Sequence, residues 1–378
     1  MQTVFLVILM KVLFVSHACS EPINRAFVDK ISGVQGMQVM LLTTPWWTNG
    51  RQSPPDAKYE LVVGRTAFGP HIFRFFFFPP LFGRIMKFRP DIINLDEEPS
   101  SVVALQAVLW KWITGAKLVF KSCENIYRHG RFPLPLIEKI VLANSDYAIA
   151  LNNEVKEVLE RKGFRKKIKV IGLGLDEGDF RAFDAAQLRK DLGLGAYTIG
   201  YMGRLVREKG VETMIEACAK LDFEFNMLID DWSSESEYRE ELLELAEKNG
   251  IKKNMAFVSP SHEEAYKYFN CIDLLVVPSK TTPSWKEQFG KVVIEAMIIG
   301  KPVLVSDSGN LPSLVVGSEQ VFSEGNATEL AGKIKLFRNN RNLVEELAEK
   351  GKRKVLENFT WKKIADKTVG VYNEMVGK

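Results

Sequence analysis

Short runs of hydrophobic residues alternate with longer amphipathic stretches along almost the whole chain. Runs rich in Val, Ile and Leu are typical of strands buried in a parallel sheet, whereas apolar residues spaced three and four apart indicate helices that pack on it. The alternation therefore predicts repeated βα units and an α/β fold. Strands are predicted at residues 11–15, 38–42, 60–63, 91–95, 117–120, 147–150, 169–171, 198–202, 226–229, 255–257, 274–277, 302–305 and 320–322.

Helical periodicity fills most of the intervals between these strands. The pattern lapses among charged residues and glycines at 176–197, which indicates a boundary between two βα domains of similar size. A chain of 378 residues is also too long for one ordinary core. Ligands commonly bind in the cleft between two such domains. Helices are predicted at 101–114, 136–143, 153–162, 210–220, 235–249, 262–269, 290–299, 327–338, 341–358 and 361–375.

The first twenty residues are apolar enough to resemble a signal peptide. No basic segment precedes the apolar run, however, and Lys11 interrupts it. We therefore expect a first buried strand at 10–16 and interpret residues 1–9 as a short extension or a mis-set start. No run of 18 or more apolar residues occurs elsewhere, so no transmembrane helix is predicted.

Composition narrows the classes of function. Apolar residues make up 46% and charged residues 26% of the chain, as in globular proteins, and a net charge of +4 gives no case for nucleic acid binding. The cysteines show no paired spacing and the histidines no ligand motif, so neither a disulfide framework nor a metal site is expected. This cysteine usage fits a reducing compartment, and we expect the protein in the cytoplasm.

Candidate chemistry begins with Glu287 and Glu295, which follow a predicted buried strand. If a helix starts near Phe289 or Gly290, Glu287 lies just before it and Glu295 lies in its second turn, roughly 12 Å apart at helical rise. Between them would lie a helix N-terminus, which binds phosphate through free N–H groups. That order suits a sugar bound to a nucleoside diphosphate. Taken alone, two glutamates at this spacing are usually solvated helix positions; their place after a buried strand of the same sheet favours a site.

The second candidate segment is a basic turn that follows the predicted strand at 198–202. Gly203 permits a tight turn, and Arg204 and Lys209 offer positive charge to a diphosphate. A basic surface turn is the alternative. A third segment, residues 301–312, runs from a strand into a glycine-containing loop, and an ordinary connection between elements accounts for it.

The order of these segments resembles the retaining glycosyltransferases of family 4. The resemblance lies in Gly-Arg-Leu…Glu-Lys-Gly at 203–210, Glu-x7-Glu at 287–295 and Lys-Pro-Val…Ser-Asp…Gly…Pro at 301–312. It covers residues 197–372 well and the first half weakly, at 89–94 and 169–180. It implies the GT-B fold, with two Rossmann-like domains facing each other across a cleft. Residues 1–180 would bind the acceptor, 190–358 the donor, and 359–378 would form a helix crossing back to the first domain.

The resemblance also implies a function and roles for residues. The family transfers a sugar from a nucleoside-diphosphate sugar, here UDP or GDP, to an acceptor hydroxyl with retention of anomeric configuration and without a bound metal or other cofactor. The implied catalytic residues are Arg204, Lys209 and Glu287. The implied donor-binding residues are Gly203, Gln288, Phe289, Gly290 and Glu295, of which Glu295 would accept hydrogen bonds from the ribose.

The chain departs from the family pattern in several places. After the strand at 302–305, Gly309-Asn310 replace two glycines and Ser313 replaces the usual glutamate. Residues 228–232 replace a Gly-x-Gly turn, Ser20-Glu21-Pro22 replace a glycine pair near the first strand, and the usual acceptor-side histidine is not evident. Candidates for the acceptor side follow two strands of the first half: Asp96, Glu97, Asn125 and His129. The acids near residue 97 could instead cap the helix from Ser101 or lie on the surface.

Residues 73–89 are aromatic and basic, which suggests contact with an anionic membrane and a lipid-linked acceptor. A core strand and helix is the alternative that we favour. Rival functions are a GT-B nucleotide-sugar epimerase, a phosphorylase, or a non-catalytic nucleotide-sugar-binding protein. The acid/base residues of an epimerase and the phosphate or pyridoxal lysine of a phosphorylase are not evident in the sequence.

Overall fold

The computed structural model describes residues 9–46, 58–79, 81–232 and 235–377. It divides into two compact units. The first unit comprises Met1–Gly174 and Trp361–Lys378, and the second comprises Leu175–Thr360. Most of the expected N-terminal extension, residues 1–8, lies outside the described residues.

The described strands are mostly short, as is usual for parallel sheets with helical crossovers. In chain order they are β1 Met10–Val15, β2 Met37–Thr43, β3 Glu60–Val63, β4 Thr66–Ala67, β5 Phe76–Phe77, β6 Ile92–Leu95, β7 Lys117–Ser122, β8 Tyr147–Ala150, β9 Ile168–Val170, β10 Tyr197–Tyr201, β11 Phe225–Asp230, β12 Met255–Val258, β13 Leu274–Val277, β14 Val303–Ser306 and β15 Val321–Phe322.

Most α-helices connect successive strands, and α12, α13 and α14 follow the last strand. They are α1 Ala26–Ser32, α2 Leu81–Phe88, α3 Val102–Thr114, α4 Leu134–Asn144, α5 Asn153–Arg161, α6 Ala186–Asp191, α7 Val211–Cys218, α8 Ser236–Lys248, α9 Ala265–Cys271, α10 Lys291–Ile299, α11 Leu311–Leu314, α12 Ala327–Asn339, α13 Arg341–Asn358 and α14 Trp361–Val376.

Each unit is built on a parallel sheet. The first sheet has the order β3-β2-β1-β6-β7-β8-β9, and the second has the order β12-β11-β10-β13-β14-β15. The strand order reverses beside the first strand of each sheet, β1 and β10, as in doubly wound folds that bind ligands at the carboxyl ends of their strands. A small antiparallel hairpin of β4 and β5 stands apart from the two sheets.

The hydrophobic pattern predicted the sheets well. Every predicted strand is present, with its ends to within about two residues, because central strands such as β13 are buried on both faces and read as unbroken apolar runs. The pattern missed α1, α6, α11 and β4, which are short elements whose apolar positions are too few to establish a period. The core interpretation of residues 73–89 predicted a strand and a helix, which are present as β5 and α2.

The segment at residues 73–89 is partly core. Phe75 and Phe77 are fully buried, as the core interpretation predicted, and the segment continues into α2. Phe73, Phe78 and Phe82 remain more than a third exposed. The segment therefore has a buried side and an apolar exposed side.

The last helix, α14, completes the core of the first unit. The Trp361 ring packs 5.8 Å from that of Phe27, and the Tyr372 hydroxyl donates a 2.9 Å hydrogen bond to Asn94 Oδ1. Ile364, Ala365 and Val371 join the same buried cluster as residues of β1 and β2. A segment that follows the whole second unit in sequence is thus part of the first.

Candidate active site

The turn after β10 lies against the start of α10 in the second unit. Gly203 has φ of +124°, and a Cβ atom built on it would lie 3.9 Å from Val292 Cγ1 in the first turn of that helix. The Gly203 N–H group donates a 3.1 Å hydrogen bond to Asp230 Oδ2 at the end of β11. Three adjacent segments, at the ends of β10, β11 and β13, therefore meet at one edge of the sheet.

The N-terminus of α10 is shaped by glycine rather than by a capping side chain. Gly290 occupies the N-cap with φ of +81° and has no side chain that could accept a hydrogen bond from the first amides of the helix. A Cβ atom on Gly290 would lie 2.4 Å from Leu311 Cδ2, so the position has room only for glycine without movement of α11. The first amides of α10 are left to bind a ligand or water.

Lys209 and Glu287 form a close ion pair at this edge. Lys209 Nζ lies 2.6 Å from Glu287 Oε2 and 5.0 Å above the centre of the Trp285 ring. The Ser279 hydroxyl donates a 2.9 Å hydrogen bond to the same carboxylate oxygen. Glu287 is buried, so its partners fix the carboxylate as well as neutralise it.

The loop after β14 holds the backbone at Glu287. The Asn310 N–H group donates a 3.0 Å hydrogen bond to the Glu287 carbonyl oxygen. Gly309 has φ of +53°, and a Cβ atom on it would lie 2.1 Å from that oxygen. The segment at 301–312 is therefore more than an ordinary connection, because its glycine permits the close approach that supports Glu287.

Glu295 lies in the second turn of α10 and is buried. Its carboxylate is 3.5 Å from Lys291 Nζ, one helical turn earlier. Burial raises the pKa of Glu295, and the charge and hydrogen bond of Lys291 offset this only in part. The Lys291 side chain thus contacts Glu295 from the first turn of α10.

The remaining donor-side candidates surround this group. Arg204 is exposed, and its carbonyl oxygen accepts a 2.5 Å hydrogen bond from the Tyr201 hydroxyl. Phe289 is buried with its ring 5.7 Å from that of Phe359. Gln288 lies between Glu287 and Phe289. The second unit thus brings Gly203, Lys209, Glu287, Gly290 and Glu295 around one helix end, with Arg204 on the adjoining turn.

In the first unit, Asp96 and Glu97 line a cavity of about 230 Å³ at the carboxyl ends of β1, β6 and β7. Both oxygens of the buried Glu97 carboxylate lie 2.6 Å from His17 Nδ1. Asp96 accepts a 3.0 Å hydrogen bond from the Ser16 hydroxyl and lies 3.5 Å from Lys121 Nζ. This cavity therefore gathers acids and bases from three strands.

The alternative that these acids cap α3 is wrong. Ser101 caps the helix through a 3.3 Å hydrogen bond from the Ala104 N–H group to its hydroxyl. Glu98 instead accepts hydrogen bonds from the Ser122 hydroxyl at 2.7 Å and the Cys123 N–H group at 2.6 Å. Burial raises the pKa of Glu98 to about 7 despite these two bonds.

Asn125 and His129 do not join Asp96 and Glu97. Asn125 is buried and donates a 3.0 Å hydrogen bond to Glu154 Oε2. His129 is exposed and lines a second cavity of about 300 Å³, whose charged lining also includes Arg128, Arg131, Lys162, Glu124 and Glu138. The acceptor-side candidates are thus divided between separate places in the first unit.

The comparisons with known proteins bear on the second unit first. The model of the family described as glycosyl transferases group 1 matches residues 184–354, nearly all of Leu175–Thr360. Residues 184–354 therefore match a group 1 glycosyltransferase domain. The described residues contain no group of three or more His, Cys, Asp or Glu that could hold a metal ion.

Curated relatives share part of their length with this chain. An uncharacterized glycosyltransferase of Methanocaldococcus jannaschii is 27% identical over 249 residues, 63% of this chain and 62% of that protein. The D-inositol 3-phosphate glycosyltransferase of Nocardia farcinica is 32% identical over 190 residues, 47% of this chain and 41% of that protein. Both matches span less than two thirds of the relative.

Solved structures establish the fold. Anabaena HepE in complex with UDP has a TM-score of 0.77 at 19% identity, over 97% of this chain and 100% of that one. Sucrose-phosphate synthase of Thermosynechococcus elongatus has a TM-score of 0.72 at 20% identity, over 97% and 99%. The chain therefore has the GT-B fold with two Rossmann-like units, as the resemblance implied.

One departure within the group 1 domain now has a structural account. Asp230 stands where the family pattern has a Gly-x-Gly turn, and its carboxylate also accepts a 2.9 Å hydrogen bond from the Trp232 N–H group. Burial raises the pKa of Asp230, and the hydrogen bonds from Trp232 and Gly203 offset this in part. A side chain here ties two turns together, a role that a glycine could not fill.

Sequence reasoning missed His17 outside the group 1 domain. Burial lowers the pKa of His17, but the hydrogen bond and charge of Glu97 and the charge of Asp96 outweigh it, so the pKa is raised. His17 forms no ligand motif with the other histidines, so sequence spacing does not single it out. The available signal was position, because His17 follows the end of β1, where a parallel sheet presents ligand-binding groups.

Proposed function

We propose that this protein is a retaining glycosyltransferase that moves a sugar from a nucleoside-diphosphate sugar to an acceptor hydroxyl. The observation that carries the proposal is the Lys209–Glu287 pair beside the uncapped N-terminus of α10, within the group 1 domain. A cation, amides and a carboxylate then lie in the order that a diphosphate and its sugar require.

The proposed roles follow from the placement of each group. Lys209 and Arg204 stabilise the diphosphate, together with the backbone amides of Gln288, Phe289 and Gly290 just before α10. Gly203, whose own N–H group is bonded to Asp230, provides the tight turn beside them. Glu295 accepts hydrogen bonds from the ribose hydroxyls through the two oxygens of its ionised carboxylate. Burial raises the pKa of this carboxyl group, and Lys291 beside it favours the ionised form. Glu287 faces the transferred sugar.

In the proposed reaction, the bond from the anomeric carbon to the diphosphate oxygen breaks and its electron pair leaves with the nucleoside diphosphate. The acceptor oxygen forms the new bond on the same face, and its proton passes to the departing phosphate oxygen. Positive charge from Lys209 and Arg204 stabilises the charge that grows on this phosphate. The ion pair between Lys209 and Glu287 favours this same-face attack over a covalent intermediate on Glu287, because an ion-paired carboxylate is a weak nucleophile.

We propose UDP as the first nucleotide to test and GDP as the second, because Anabaena HepE, which shares the fold, is described bound to UDP. The acceptor belongs to the first unit in this proposal, with Asp96, Glu97, Asn125 and His129 as candidates. The acceptor classes are a glycan, a lipid-linked saccharide or a small molecule. A cytoplasmic location with peripheral contact to the inner face of a membrane through residues 73–89 is part of the same proposal. No described helix has the length and apolar character to cross a membrane.

A thermal-shift screen with UDP-, GDP- and ADP-sugars tests donor binding, because a ligand specific to the native state raises its stability. The donor that gives the largest shift is then incubated with a panel of acceptors, and the anomeric configuration of the product is read by NMR. A product of inverted configuration would contradict retention. Tight donor binding with neither transfer nor slow hydrolysis would favour the non-catalytic binding protein instead.

A further inference from the structure

A group of large apolar side chains is exposed on the first unit. Their exposed fractions range from 44% for Phe78 to 67% for Phe68. Exposed residues of this size that adjoin one another mark binding surfaces rather than ordinary surface. The group, called the apolar face below, consists of Phe68, Phe78, Leu109, Trp112 and Ile113.

Hydrogen bonds fix the two parts of the apolar face side by side. The Gln106 amide on α3 donates to the Phe77 carbonyl oxygen at 2.8 Å and accepts from the Phe77 N–H group at 2.9 Å. Leu109 and Ile113 follow Gln106 by three and seven residues, so they share its side of the helix. The β4–β5 hairpin therefore lies along the exposed apolar stripe of α3.

The hairpin part is itself continuous. The Phe68 and Phe76 rings lie 6.1 Å apart, and the Phe76 and Phe78 rings lie 6.0 Å apart. On the other side of α3, Trp112 Nε1 donates a 3.2 Å hydrogen bond to Asn144 Oδ1 on α4. The apolar face thus runs from the hairpin across α3 to α4.

The surroundings of the apolar face are basic. No Asp or Glu occurs in residues 61–90, 99–123 or 125–137, which include the hairpin, α2, α3 and the start of α4. These segments carry the exposed or partly exposed cations Arg65, Arg74, Arg84, Lys87, Arg128 and Arg131. Acids from other segments pair with two cations here, Glu60 with Arg84 at 4.0 Å and Asp146 with Lys111 at 2.6 Å. Apolar side chains among an excess of exposed cations match a surface that is apolar beneath and negatively charged above, which describes an anionic bilayer.

A second copy of the chain fits this surface less well. In a two-fold symmetric dimer the same patch meets itself, so its cations would face cations. Like charges brought together across an interface cost free energy. The charge pattern therefore favours lipid over self-association.

We propose that the apolar face docks the first unit on an anionic lipid bilayer, with Leu109, Trp112 and Ile113 reaching into the interface and the surrounding cations binding lipid phosphates. The docking surface is thereby centred on α3 and the hairpin rather than on residues 73–89 alone. α2 contributes Arg84 and Lys87 at its edge.

Docking also indicates a class of acceptor, an inference that rests on the proposed function. Phe73 lines both cavities of the first unit, and its carbonyl oxygen accepts a 3.0 Å hydrogen bond from the Val102 N–H group at the start of α3. Both cavities thus adjoin the segments that carry the apolar face. An amphiphile held in the bilayer could place its polar head in either cavity.

The test is sedimentation of the full chain with vesicles of phosphatidylcholine alone or mixed with phosphatidylglycerol. We expect binding to the mixed vesicles at low salt, weaker binding at high salt and little to phosphatidylcholine alone. Leu109→Ser/Ile113→Ser should reduce the partition coefficient about tenfold or more, because each change removes a large apolar side chain from the interface. The matched control, Leu336→Ser/Leu356→Ser, changes exposed leucines of the second unit and should bind as the unaltered chain does.

Equal binding by the two double variants would overturn the proposal. A concentration-dependent dimer that Leu109→Ser/Ile113→Ser dissociates, without vesicle binding by the unaltered chain, would also overturn it and assign the face to a second copy. The thermal shift with UDP, measured on the same samples, separates the two proposals. If Leu109→Ser/Ile113→Ser no longer binds vesicles but shows a normal thermal shift, the docking proposal is supported. If the unaltered chain binds vesicles but no nucleotide sugar raises its melting temperature, the docking proposal stands and the proposed donor is rejected.

Discussion

At the scale of single residues, Lys209 and Glu287 depend on each other. Glu287 is only 7% exposed, and removing one partner of a buried ion pair leaves the other charge uncompensated. A variant of either residue therefore changes stability as well as chemistry. Arg204 allows a cleaner test of the proposed site, because its side chain is exposed. Glu295 is as buried as Glu287 and is paired with Lys291, so its variant needs a stability measurement beside the binding measurement.

Arg204→Ala should lower kcat on the true donor, because charge that grows on the leaving phosphate loses a cation. Loss of one charge-assisted contact costs roughly 1.5–3 kcal/mol, which is about a ten- to hundredfold decrease. Arg207→Ala is the matched control. Arg207 lies three residues away and forms an exposed pair with Glu241 at 2.6 Å, so kcat should not change. An unaltered kcat/KM in Arg204→Ala would remove Arg204 from the mechanism.

Glu295→Ala should mainly weaken donor binding, because the ribose hydroxyls lose their acceptor. Titration calorimetry with the donor should show Kd increased by a similar factor, with a smaller effect on kcat. Glu345→Ala, on an exposed turn of α13, controls for the loss of a helical glutamate. Equal affinity in both variants would show that Glu295 does not contact the donor.

Glu98 predicts a pH dependence of stability. Its folded pKa of about 7 lies above the ordinary 4.5, so between these values the folded protein keeps a proton that the unfolded chain releases. The resulting stabilisation is complete below pH 4.5 and is lost as pH rises to about 7. In urea unfolding, the decrease of the free energy of unfolding between pH 4.5 and 7 should be smaller in Glu98→Gln than in the unaltered chain, by on the order of 1–3 kcal/mol. Glu160→Gln, at an exposed position of α5, should leave the slope unchanged, and identical slopes in all three proteins would contradict the prediction.

At the scale of elements, glycines shape the site where three segments meet. Gly309→Ala should reduce activity strongly, because a Cβ atom 2.1 Å from the Glu287 carbonyl oxygen must displace the segment that carries the carboxylate. Gly300→Ala is the control: its φ of +88° imposes the same backbone strain of about 1 kcal/mol, but nothing lies within 4 Å of its Cβ. Equal kcat/KM in the two variants would show that the loop after β14 does not position Glu287.

The sequence could predict the grouping of the donor-side candidates better than that of the acceptor-side candidates for a physical reason. Glu287, the start of α10 and Glu295 belong to one short segment, so helix geometry alone fixes their spacing. His17 and Glu97 are 80 residues apart and meet only because β1 and β6 are neighbours in the sheet. Strand order is a long-range property that hydrophobic periodicity does not contain.

The small elements illustrate the same limit. The β4–β5 hairpin has two residues in each strand and is fixed to α3 by Gln106, a residue with no distinctive local signal. Helix α6 lies where the pattern lapses and has no buried residue, so it leaves no apolar stripe to recognise. Tertiary hydrogen bonds and position, rather than local periodicity, define these elements.

At the scale of the molecule, α14 joins distant parts of the chain. Tyr372→Phe should destabilise the first unit by about 1–3 kcal/mol, because the buried Asn94 loses a hydrogen-bond donor. Hydrogen exchange at β6 should accelerate accordingly. In Tyr266→Phe, which loses a 3.0 Å bond to Arg181 in the second unit, exchange at β6 should stay unchanged. Acceleration in both variants, or in neither, would contradict this assignment of α14.

The position of α14 has a consequence for synthesis on the ribosome. Residues 1–174 leave the ribosome first, yet the core of their unit lacks the buried side chains of α14 until Trp361–Val376 has been translated. Leu175–Thr360 contains all of its own sheet and emerges whole before that moment. The half of the protein that is made second can thus mature first, while the earlier half waits for the last helix.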